Sequence, residues 1–138
     1  MSEFDLIIEN AIVVTADADN RVIEKGGVTV SNGRIAHVLD QTALEAMKDR
    51  ATTVFDGSGH ILMPGLINTH CHAGDSLFRG LVENLPLEAW LQTVRKAEAA
   101  ILDPDTTRLG SVVGFAEQLL SGVTTVMDMF WYPRQTVE

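Results

Sequence analysis

The chain has 138 residues, 46% of them hydrophobic, with 19 acidic against 10 basic side chains and a formal charge of −9. With a mean hydropathy of +0.12, this is the composition of one or at most two small soluble globular domains, and it excludes a fibrous or disordered segment. The acidity argues against nucleic acid or an anionic membrane surface as a partner, and the single cysteine, Cys71, rules out an intrachain disulfide and points to a reducing, cytoplasmic setting.

The opening "MSEFDLIIENAIVVTADADN" carries acids where a signal peptide carries a basic region. No apolar run approaches the roughly 18 residues of a membrane span. From Phe4 to Leu62 the chain reads as short β-strands separated by turn residues: "FDLII", "AIVVT", "RVIE", "GVTV", "RIAHV", "TTVF" and "HILM". Asn32-Gly33 predicts a two-residue hairpin turn, because both positions accept positive φ. Gln41 to Asp49 holds helix formers and reads as a short helix or a polar connector.

Pro64-Gly65 marks a break, followed by the strand "LINTHCH". A helical period then begins at Leu87 and places Leu87, Trp90, Leu91, Val94, Ala97 and Ile101 on one face. Asp103-Pro104 ends that helix and opens the next as N-cap and first-turn proline. The second helix has Leu109, Val112, Val113, Ala116, Leu119 and Leu120 at helical spacing and stops at Gly122. "VTTVMDMF" returns to strand. Strand, helices and strand in this order predict the opening crossover of a parallel α/β fold. The expected division is 1–59, all-β, and 60–138, α/β.

Strand alternation puts Asn68, His70 and His72 on one side of "LINTHCH" and Cys71 on the other, as a small packing residue. If the strand lines a closed barrel, the pair lies at its carboxyl end, where two imidazoles are suited to hold a catalytic metal, which needs at least one further ligand. By itself such a pair also arises by chance on a half-exposed strand. His37 and His60 have no ligand-type neighbour at useful spacing and read as structural or exposed.

"MPGLINTHCH" resembles the first-strand signature of the amidohydrolase superfamily, and "HCHAGDSLFRGLVENLPLEAWL" is similar to its aminohydrolase and chlorohydrolase (deaminase-like) branch. The segment from Leu6 to Val38 resembles the β-sandwich that precedes the barrel in these enzymes, and "SGVTTVMDMF" their second barrel strand. Asn68, where many superfamily members have aspartate, also matches the branch.

The resemblance implies a β-sandwich segment followed by the first two strands of a (β/α)₈ TIM barrel, incomplete in this chain. It implies metal ligands at His70 and His72 for one divalent ion, zinc, with iron or manganese as alternatives. The implied reaction is hydrolysis of a carbon–nitrogen, non-peptide bond, the deamination of a small nitrogen heterocycle by metal-activated water. Dechlorination and cyclic-amide cleavage remain open as enzyme alternatives, and a non-catalytic binding module as an alternative of another class.

Trp90 and Glu98 match substrate-contacting positions, although the interval between them is one residue short, and both also read as ordinary helix residues. Arg79, Asp75 and Asp128 read as pocket-shaping or merely charge-pairing. A full barrel takes about 250 residues, and the remaining ligands and the acid/base carboxylate belong to later strands. The expectation is an amino-terminal portion with no catalytic acid or base and no activity alone, whose full-length form resembles proteins that are often homo-oligomers.

Overall fold

The amino-terminal apolar runs join into longer strands than their punctuation suggests. In the computed structural model, which describes residues 2–137, "FDLII" and "AIVV" form one strand, β1 (Phe4–Val14), and the next two runs form β2 (Val22–Ser31). Asn10 makes the continuation of β1 possible. It adopts φ 60°, the β1–β2 register shifts between Ile8 and Ala11, and the extra residue is absorbed as a bulge. Phe4, Ile7, Ala11 and Val13 are thereby all buried.

The turn at Asn32-Gly33 is present, with φ 52° and 70°, and joins β2 to β3 (Arg34–Asp40) in antiparallel register. β4 (Ala51–Asp56) and β5 (Ile61–Leu62) both pair parallel with β1, which completes a five-stranded sheet. Gln41 to Asp49 is not a polar connector. Asp40 caps α1 (Gln41–Glu45) by accepting from the Ala43 amide, and Leu44, fully buried, closes the core over Phe4 and Ile7. Beneath it the buried Glu9 carboxylate is satisfied by Lys48 Nζ at 2.7 Å and Gln41 Nε2 at 3.1 Å.

The chain divides between Pro64 and Gly65 rather than at residue 60. The reason is β5: Ile61 and Leu62 stand opposite Ile12 and Val13 of β1, so the sheet of the first unit claims them.

In the second unit β6 (Leu66–Cys71) pairs parallel with β7 (Val123–Asp128). The connection carries two helices, α2 (Leu87–Ile101) and α3 (Pro104–Leu120), as a parallel pair requires. Asp103 forms a full capping box with Thr106 at the start of α3, and Gly122 takes φ 83° beyond its end. A 3₁₀ turn (Ala73–Phe78) and α4 (Pro133–Val137) complete the unit.

The helix faces depart from expectation. α2 buries only Val94, and α3 buries Thr107, Gly110, Ser111 and Gly114 rather than its leucines and valines. The small residues let the backbone of the 3₁₀ turn lie directly on α3: a Cβ on Gly110 would stand 2.3 Å from the Gly74 carbonyl oxygen. Leu119, Leu120, Ile67 and Met127 are exposed. Among the described residues, no helix is long and apolar enough to cross a membrane.

Candidate metal centre and adjoining cleft

β6 delivers His70 near its carboxyl end and His72 just beyond it. The two imidazole centroids are 4.9 Å apart with perpendicular planes. Simple alternation does not describe the rest of this strand. The β6–β7 register shifts between Asn68 and Cys71, and both of those residues meet Gln118 of α3. Asn68 Nδ2 donates to Gln118 Oε1 at 2.8 Å, and Gln118 Nε2 donates to Cys71 Sγ at 3.1 Å. Cys71 is therefore a half-buried, hydrogen-bonded thiol rather than a plain packing residue, and burial pushes its pKa up.

The tautomer of His72 follows from its partner. Its Nδ1 stands 2.7 Å from the Met129 carbonyl oxygen, which can only accept, so Nδ1 carries the proton. The neutral ring then presents Nε2 as a free lone pair, the form a metal ligand needs. Neighbouring bonds hold the same turn. Asp128 Oδ1 accepts from the Ala73 amide at 2.8 Å. Arg79 forms a two-pronged ion pair with Glu117 of α3, at 2.8 and 2.6 Å, which lowers the pKa of the Glu117 carboxyl. His37 bonds Thr29 and His60 bonds the Ser58 carbonyl, both in the first unit and away from any ligand-type cluster.

His72 opens onto a cleft made of two adjoining hollows of about 300 and 360 Å³. Trp90 and Val94 of α2 line both, together with Asp75, and Glu98 lines the larger with Phe130 and Trp131. The cleft thus gathers His72, Trp90 and Glu98. His70 lines a separate hollow of about 370 Å³ with Asn68, His72 and Gln118. Asp75, one of the residues read as pocket-shaping or charge-pairing, lines the cleft. Its Oδ1 is buried without a hydrogen-bond partner, and burial, with the Glu98 carboxylate adding to it and His72 opposing, pushes its pKa up to about 6. Met129 contributes through its backbone, for which no side-chain pattern exists. Among the described residues no three histidine, cysteine or acidic side chains converge as a metal cluster.

Residues 61–134 match the amidohydrolase family. The chain is 39% identical to a 5'-deoxyadenosine deaminase of Methanosarcina mazei, over 97% of this chain and 30% of that protein. It is 40% identical to a 5-methylthioadenosine/S-adenosylhomocysteine deaminase of Syntrophobacter fumaroxidans, over 99% of this chain and 31% of the relative. Among solved structures, a zinc-bound adenosine deaminase from Xanthomonas campestris superposes with a TM-score of 0.91 at 33% identity, covering 96% of this chain and 30% of that one. A zinc complex of atrazine chlorohydrolase from Arthrobacter aurescens gives 0.82 at 25% identity, covering 96% and 32%.

The fold is that of the amino-terminal portion of such hydrolases, a β-rich segment followed by the first two parallel strands of the barrel. This chain belongs to the amidohydrolase family, and it spans about 30% of the length of the curated relatives it matches.

Proposed function

We propose that the chain supplies two ligands and one wall of the substrate pocket of a metal-dependent hydrolase that deaminates a nitrogen heterocycle. The observation that carries this reading is the His70–His72 pair, with His72 Nδ1 tied to Met129 and the ring opening onto a cleft lined by Trp90. The ion is one divalent metal, zinc, held through imidazole nitrogens, with iron and manganese served by the same donors. When bound, zinc would supply Lewis acidity, which lowers the pKa of water far enough to make it a nucleophile at neutral pH.

The work of this chain's own residues is to bind and orient. Trp90 presents an aromatic surface to a planar heterocycle, and Glu98 accepts hydrogen bonds from its polar substituents. The substrate class is a small nucleoside-like heterocycle, in keeping with the deaminases the chain resembles; the chlorohydrolase relative makes hydrolytic dechlorination the second reading. The acid/base carboxylate and the remaining ligands are not among the residues gathered here, so the 138-residue chain alone has no turnover. The free, half-buried Cys71 accords with a reducing, cytoplasmic setting.

Zinc titration of the purified chain, with native mass and metal content taken on the same sample, tests this. Weak binding that His70→Ala or His72→Ala abolishes is the expected result, with no ammonia released from adenosine-type nucleosides. Zinc binding that survives both substitutions overturns the ligand assignment. Metal-dependent turnover by the isolated chain overturns the incomplete-site reading.

A further inference from the structure

Three consecutive residues at the end of β6 are held by two at the end of β7. The Met129 amide donates to the Cys71 carbonyl at 3.0 Å, His72 Nδ1 donates to the Met129 carbonyl at 2.7 Å, and the Ala73 amide donates to Asp128 Oδ1 at 2.8 Å. The first of these continues the parallel ladder. The last does not. At His72 the backbone takes φ −130° and ψ 71° and leaves the strand direction for the 3₁₀ turn, so the Ala73 amide has lost its ladder partner.

Ala73 is 2% exposed, which leaves that amide out of reach of bulk water. A buried backbone N–H without an acceptor is unfavourable enough that the chain moves to find one. Asp128 supplies the acceptor from its side chain, with a charge-assisted bond, at the point where the ladder ends.

We infer that Asp128 is a positioning residue for His72. By holding residue 73 it fixes the turn that keeps the imidazole within reach of the Met129 carbonyl, and so selects the Nδ1–H tautomer with Nε2 free. Nothing in this role needs Asp128 to touch metal or substrate. The inference rests on the reading of His72 as a ligand, but its first readout needs no metal.

Nitrogen NMR of the imidazoles and exchange of the Ala73 amide, both on the metal-free chain, test it directly. The unsubstituted chain is expected to show His72 in the Nδ1–H form and a protected Ala73 amide. Asp128→Asn, which keeps an oxygen acceptor in place, should retain both. Asp128→Ala should give mixed tautomers, fast exchange at Ala73 and about 10- to 100-fold weaker zinc binding, the range for loss of a residue supporting a ligand.

An Nε2–H tautomer in the unsubstituted chain overturns the inference, as does an alanine variant that keeps both tautomer and affinity. Should the alanine variant not fold, the Asp128→Asn variant decides: a folded Asp128→Asn chain with mixed His72 tautomers also overturns it. Absence of zinc binding in the unsubstituted chain would sink the ligand reading instead, while the tautomer result would still decide the role of Asp128.

Discussion

Asp75 shows how much a single side chain's behaviour depends on its surroundings. Its ordinary pKa is 3.8, and in the cleft it rises to about 6. Folding therefore favours the protonated form. The stability this group contributes is fully present below about pH 4 and is lost as pH rises through 6. Asp17, Asp56, Asp103 and Glu117 act in the opposite sense, since their hydrogen bonds hold their pKa values low. A pH scan of the unsubstituted chain thus mixes the two, and comparison with Asp75→Asn separates them. The variant should be the more stable at pH 7, with the gap in thermal midpoint closing toward pH 4. A gap that stays constant with pH would show that the Asp75 charge is not the cause. Nothing in "HAGDSLF" marks the Asp75 carboxyl as half-buried; the fold sets it in the cleft with Trp90, Val94 and Glu98 of α2.

At the scale of elements, α3 shows why a correct helix can still be assigned the wrong buried face. Asp103, Pro104 and Gly122 made its ends legible, because capping is local chemistry. Its inner face could not be read from hydrophobic spacing, since the partner is a backbone turn that must approach closely. Gly110→Ala tests this. Alanine favours a helix interior over glycine by roughly 1 kcal/mol, but a methyl group 2.3 Å from the Gly74 carbonyl oxygen forces backbone to move. Overpacking of this kind costs typically about 1–3 kcal/mol. The expected result is a lower urea midpoint and displacement of the His72 resonances; a midpoint that rises would mean that the turn does not sit on the helix.

In the first unit Leu44 holds the corresponding position. It is fully buried against Phe4 and Ile7, so Leu44→Ala should destabilise that unit by about 2–5 kcal/mol, read from hydrogen exchange in β1 and α1. Exchange left unchanged would show that α1 is not part of the core.

For the molecule as a whole, the apolar residues on β6, β7 and the outer faces of α2 and α3 remain exposed, Ile67 at 69% and Leu120 at 90% among them. Parallel strands are ordinarily covered on both faces, and open strand edges of this kind pair with other chains. The isolated 138-residue chain is expected to associate with increasing concentration in sedimentation velocity. A monodisperse monomer across a wide concentration range would show that these faces are not adhesive.

The sequence by itself determined the order of strands and helices, the Asn32-Gly33 turn, the helix caps, the amidohydrolase signature and the pair His70 and His72. All of these depend on neighbours a few residues apart, where propensity, turn chemistry and spacing act directly. Only the tertiary structure decided that β5 joins the first unit, that Cys71 and Asn68 share Gln118, that Asp75 is half-buried beside Glu98, and that a backbone carbonyl sets the tautomer of His72. Those contacts join residues up to 57 positions apart. They exist because β7 returns parallel to β6 and α3 lies flush on a turn, an arrangement that close packing enforces and local sequence pattern does not encode.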